Sequence, residues 1–298
     1  MKSHIIFALA FFAVTLPSPA SAQMDSSARV RAEADSSTVR VTLKDGSSLN
    51  GRVVEKDSSH LIILGDGGMK SDIPRSNISS IEELVAGPHG SYIRLDPNVS
   101  RLFFAPTGRA IAQGSGYFSD YELFFPFLAY GVTDFLTVSG GFSLIPFASN
   151  ELFYFSGKVR VLHAAPLDLS LGYLLVGLPG FFSTQFSTFS LPFASATVGS
   201  DLTSLTLGYG EPLNISSSGI MMIGGEAQIS NSVAFLSENW VPIAGGGVVY
   251  SFGVRFFGDH LAADFGLFGV TTSSNRGFPF LPWIGFDYNW GTTKPAKL

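Results

Sequence analysis

From residue 101 to residue 290 the chain is laid out in segments of about 9 to 16 residues in which apolar and polar positions alternate, each closed by a few turn residues. A period of two is the period of a β-strand, whose successive side chains point to opposite faces, so this region reads as sheet rather than helix. In residues 246–258, Val248, Tyr250, Phe252, Val254 and Phe256 fall on one face while Ser251, Gly253 and Arg255 fall on the other. Residues 151–163 repeat the pattern, with Phe153, Phe155, Val159 and Val161 opposed to Tyr154, Ser156, Lys158 and Arg160.

Composition decides what the greasy face meets. Residues 101–290 hold 25 of the 28 phenylalanines, all three tryptophans and eight of the nine tyrosines, but only 18 charged side chains. Residues 37–85 carry 13 charges in 49 positions and no aromatic residue. Two stretches so unlike cannot share a solvent, which points to a water-exposed head followed by a body facing lipid. Beyond the N-terminus no window approaches 18 uninterrupted apolar residues, so strands rather than helices must do the crossing. The net charge of −5, with no basic block, argues against a nucleic-acid partner, and the absence of cysteine removes disulfides and thiolate metal sites.

The chain divides in order. Residues 1–22 read as a signal peptide, with Lys2, a short apolar core and the small-residue cleavage site Ala20-Ser21-Ala22; residues 23–37 are a flexible lead-in. Residues 38–85 form a small β domain of about five short strands, broken at Asp45-Gly46, Asp57-Ser58-Ser59 and Asp66-Gly67-Gly68. Its expected buried face is Val39, Val41, Leu43, Leu49, Gly51, Val53, Leu61 and Ile63. The opening V-x-L-x-D-G and the closing Ile73-Pro74, Ile78 and Ile81 resemble the Sm-like and SH3-like small barrels. The resemblance implies RNA as a partner, but the head lacks aromatic stacking residues, so a protein partner in the periplasm is the expectation. Residues 86–100 read as a linker and 291–298 as a C-terminal tail.

Twelve strands are expected in the body, ten being the lower bound: 101–110, 116–131, 135–147, 151–163, 167–178, 189–200, 202–210, 219–230, 233–242, 246–258, 261–271 and 280–290. Even-numbered connections are short and the long ones are odd, the asymmetry of a membrane barrel with both ends in the periplasm. The last segment, FLPWIGFDYNW, places Gly285, Tyr288 and Trp290 in the spacing G-x-x-Φ-x-Φ. With the alternation and the loop phasing, this resembles the bacterial outer-membrane β-barrel proteins. The resemblance implies an all-β transmembrane antiparallel barrel, outer-membrane lipid as its surroundings and the barrel assembly machinery as a partner reading the terminal signal.

Charge against lipid at mid-depth costs roughly 2 to 4 kcal/mol, so the charged strand residues are assigned to the lumen. These are Glu122, Lys158, Arg160, Asp168, Glu226, Glu238, Arg255, Asp264 and Asp287. A two-residue turn at Asp259-His260 sets Arg255 across from Asp264, and Arg160 and Asp168 flank the 164–166 turn at diagonal distance. Glu238 needs a bulge to face inward, opposite Glu226. These charges either fill a narrow barrel as a polar network or line a selective lumen, with the 179–188 loop as a candidate plug. No serine-histidine, metal-ligand, phosphate-loop or cofactor motif occurs, so no catalytic residue, metal or cofactor is assigned. The functional expectation is a narrow channel or carrier for small or apolar solutes. The alternatives are an anchor whose head docks a periplasmic partner and, third, a lipid-modifying enzyme.

Overall fold

The computed structural model describes residues 38–65, 67–86, 92–146, 151–179, 186–213, 218–245, 247–271 and 280–291. The expected signal peptide, the lead-in, most of the 179–188 loop and all but the first residue of the tail lie outside them. No described helix is long and apolar enough to cross a membrane. The described strands form two sheets.

The first sheet is β1 (Thr38–Leu43), β2 (Ser48–Lys56), β3 (His60–Leu64), β4 (Lys70–Pro74), β5 (Ile78–Ala86) and β6 (Tyr92–Arg94), in the order β4-β3-β2-β1-β5-β6. Alternation puts Val39, Val41, Val53, Leu61, Ile63 and Ile73 into one core, with Leu43 and Ile78 packed against it. Leu49, expected in that core, sits beyond it near the β1–β2 turn and is 36% exposed. The turns use the chemistry their sequences carry: the Asp45 carboxylate accepts from the Ser47 hydroxyl and amide, and that of Asp57 from the His60 and Ser59 amides. These hydrogen bonds hold both carboxyls below the ordinary aspartate range.

The second sheet is a closed antiparallel barrel of twelve strands. They are β7 (Gly116–Tyr121), β8 (Phe125–Gly131), β9 (Leu136–Phe142), β10 (Phe153–Ala164), β11 (Leu167–Pro179), β12 (Phe186–Gly199), β13 (Thr203–Gly210), β14 (Ile220–Ser230), β15 (Val233–Pro242), β16 (Val248–Phe257), β17 (Leu261–Thr271) and β18 (Phe280–Trp290). β18 closes the ring on β7, from Trp290↔Gly116 to Gly285↔Tyr121.

The strand total matches expectation by a different partition. Residues 101–110 form no strand beyond an isolated bridge between Arg101 and Pro106. Residues 116–131 are two strands, joined by a turn at Glu122 (φ 53°) and Leu123 (φ 64°). Sixteen residues exceed what a tilted strand needs to cross a bilayer, so the segment doubles back. One rim therefore collects the short turns 132–135, 165–166, 200–202, 231–232 and 258–260, and the other collects 122–124 and the longer connections. Residues that point outward along the strands are large and apolar: Phe118, Leu128, Phe155, Leu171, Leu205, Phe235, Phe256 and Phe286 are each at least 44% exposed. Lys158, Arg160, Asp168, Glu226, Glu238, Arg255, Asp264 and Asp287 point the other way, while Asp120, at the end of β7 near the 122–124 turn, shares the outward face of Phe118. This distribution is that of a barrel in lipid, because an aqueous protein does not surround itself with a continuous apolar band.

Candidate functional site

The segment between β6 and β7 does not run around the barrel; it enters it. Asp96, Asn98, Leu102, Phe103, Ala105 and Ala110 are 0% exposed, inside the lumen. The entry is fixed at the short-turn rim by the Arg94–Asp259 ion pair at 2.6 Å and by the Gln228 amide donating to the Arg94 carbonyl at 2.6 Å. Inside, the segment doubles back on itself, with Thr107 N–H to the Ser100 carbonyl (3.0 Å) and a tight apex at 102–105 closed by Leu102 N–H to the Ala105 carbonyl (2.9 Å). Residues 95–112 are a plug.

A chain inside a barrel has no strand neighbour to satisfy its backbone, and the lumenal side chains supply what is missing. The Lys158 ammonium donates to the carbonyls of Ser100 (3.0 Å), Thr107 (2.9 Å) and Arg109 (2.7 Å), using all three of its protons. From the far wall, the Glu238 carboxylate accepts from the amides of Phe104 and Ala105 at the apex, both at 2.9 Å, and from Trp240 Nε1 at 2.8 Å. Hydroxyls complete the set. Ser195 and Ser170 donate to the Thr107 and Gly108 carbonyls, and Thr197 and Thr137 accept from the Gly108 and Ile111 amides. At Gly108 the backbones are so close that an added Cβ would lie 2.3 Å from the Asp168 carbonyl, so only glycine fits.

Charges lock the plug to β16, β17 and β18. Arg255 donates to both oxygens of Asp264 (2.6 and 3.0 Å), to Asp96 of the plug (2.8 Å) and to the Leu102 carbonyl (2.6 Å). Arg101 of the plug donates to Asp264 (2.9 Å), to Asp287, and to the Leu102 and Phe103 carbonyls. Asp287 also accepts from Ser119 and Asn98. Two guanidinium groups thus meet three carboxylates in a buried site, and removing either arginine strands carboxylates that have no other cation.

Of the residues assigned to the lumen from sequence, Lys158, Arg160, Asp168, Glu226, Glu238, Arg255, Asp264 and Asp287 all face it, none more than 8% exposed. Arg255 lies directly across from Asp264, the register that the turn at 258–260 sets. Arg160 and Asp168 approach to 3.7 Å, and Asp168 also holds His163 at 2.6 Å. Two expectations need correction. A bulge between Gln228 and Ser230 does turn Glu238 inward, but it pairs with Gly224, while Glu226 pairs with Leu236, so the two carboxylates do not face each other. Glu122 does not face the lumen from mid-strand. It sits in the β7–β8 turn, where its carboxylate accepts from the Ile284 amide at 2.9 Å. There it continues the ladder past the end of β7; the next residue facing that side, Pro282, has no N–H to leave unpaired. Gly285 faces inward, and Tyr288 points out at 52% exposed on the strand that ends at Trp290. The residues that sequence reasoning missed are Asp96, Arg101 and Arg109, three charges in a Pro- and Gly-punctuated stretch without alternation.

The half of the lumen toward the long connections is different. A cavity of about 100 Å³ lies over the plug, with Phe104 and Pro106 of the apex as its floor. Its walls are Phe127, Tyr154, Leu174, Leu191, Phe193, Ile220, Met222 and Trp240, with Ser139 and Ser156 among them. Stacking sets the aromatic wall: Phe127 and Tyr154 lie at 5.6 Å and 15°, and Phe104 meets Tyr154 edge-on at 6.0 Å.

No protein-family model and no curated protein matches the chain. Among solved structures, it is similar to a loop-deletion mutant of OmpT, an outer membrane protein of Vibrio cholerae, at 13% identity over 85% of this chain and 96% of that one, with a TM-score of 0.31. It is also similar to a mutant porin of Rh. blastica, at 11% identity over 85% and 98% of the two chains, with a TM-score of 0.33.

Proposed function

We propose that the protein is a bacterial outer-membrane barrel that carries small apolar molecules in a vestibule facing outward, stopped on the periplasmic side by its own plug. The observation that supports this is the cavity over the plug apex. It is walled by aromatic and aliphatic side chains, with Arg101 and Lys158 only at its floor, whereas the half of the same barrel toward the short turns is filled with charge. Binding sites for small molecules have this character, an apolar wall with a few polar groups. The filled lower half supports a carrier over an open pore, because Lys158, Glu238, Arg255, Asp264 and Asp287 there are bound to the plug's backbone or to a counter-charge.

Fluorine NMR of para-fluoroethylbenzene tests this in lipid nanodiscs bearing the intact protein. Saturable broadening and a displaced resonance are expected, and both should vanish in Leu191→Trp, whose ring fills the cavity from β12. Equal spectra with the two proteins would contradict the proposal.

A further inference from the structure

We infer that the vestibule selects molecules with one uncharged hydroxyl or carbonyl on an apolar body, and that Ser139 and Ser156 read that group. This rests on the carrier reading and narrows it. Ser139 on β9 and Ser156 on β10 are direct cross-strand partners. Both point into the lumen, both are half-buried, and both line the cavity. Neither hydroxyl has a hydrogen-bond partner among the described residues. The other lumenal hydroxyls of the plug region, Thr137, Ser170, Ser195 and Thr197, are all bound to the plug's backbone. One step above, the Tyr154 hydroxyl is also without a partner, in a residue only 7% exposed. Open hydroxyls in an apolar wall are the few placed polar groups that orient a ligand, and each can donate to a carbonyl or accept from an alcohol.

The neighbouring charges exclude an ionic ligand. Lys158, one inward position below Ser156, has spent its three protons on plug carbonyls. Arg101, also at the floor, is held by Asp264 and Asp287. A carboxylate would find no available cation, and an ammonium no available carboxylate, so the polar group must be neutral.

The test compares two probes, para-fluoroethylbenzene and para-fluorophenethyl alcohol, on the intact protein and on Ser139→Ala/Ser156→Ala in nanodiscs, by fluorine NMR titration. One or two neutral hydrogen bonds are expected to make the double variant bind the alcohol about 3- to 20-fold more weakly, with ethylbenzene affinity unchanged within 2-fold. Ser139→Thr/Ser156→Thr, which keeps the hydroxyls, should hold the alcohol better than the alanine pair does. Loss of both probes in equal measure, or of neither, overturns the inference while leaving the apolar carrier standing. Failure of the unaltered protein to bind ethylbenzene overturns the carrier reading instead.

Discussion

The two halves of the lumen share one wall and do opposite things with it. Toward the short-turn rim, Lys158, Glu238, Arg255, Asp264 and Asp287 are spent on the plug. Toward the long connections, the same strands present Phe127, Tyr154, Leu191, Phe193 and Trp240 around open space. Strand β10 shows the change within one face: Tyr154 and Ser156 border the cavity, and two positions later Lys158 grips the plug. Buried charge fixes the plug's position because it is costly to leave unpaired. Apolar side chains leave room because nothing obliges them to close on a particular partner.

The largest expected contrast is in stability. Arg255→Met leaves Asp96 and Asp264 short of their main partner in a buried site and is expected to cost about 3 to 5 kcal/mol, read by urea unfolding of the barrel in vesicles. Phe193→Ala, whose ring already borders open space, should cost under about 2 kcal/mol in the same assay. Equal losses would erase the distinction between the halves.

The smallest effect lies outside the membrane and shows what water does to the same chemistry. His60 and Asp72 pair at 2.7 Å across β3 and β4 on an open surface. The hydrogen bond and charge of Asp72 raise the His60 pKa above its ordinary 6.5. Because the folded value is the raised one, the pair's contribution is complete below the unfolded pKa and disappears as pH rises through the folded one. Histidine NMR titration should show that elevation, and Asp72→Asn should bring it back toward 6.5 with barrel unfolding unchanged. A titration that ignores Asp72→Asn would mean that the contact is not made in solution.

Much of the barrel was legible because its rules are local. Period-two alternation assigns faces, and a two-residue turn fixes a register, which is how Arg255 and Asp264 can be paired from sequence. The even strand total survived a wrong partition: the strand lost at 101–110 is regained by the turn at 122–124, and this leaves the phasing of every later connection intact. The plug was not legible because it has no period. Leu102, Phe103 and Phe104 are consecutive and apolar, as in a buried strand, and only the lumen explains why all three can sit inside. Its partners are remote as well: Lys158 reaches back 49 to 58 residues, and Arg101 reaches forward 163 and 186. The head's hairpin turns, by contrast, are set by side chains two or three residues away.

That the lower half is sealed while the upper half is open is tested most directly by conductance of the intact protein in planar bilayers. Silence is the expected result, with stepwise ion current appearing in Lys158→Met/Glu238→Gln, where the plug loses its grips on both walls. Steady current from the unaltered protein, no smaller than that of the double variant, would contradict it.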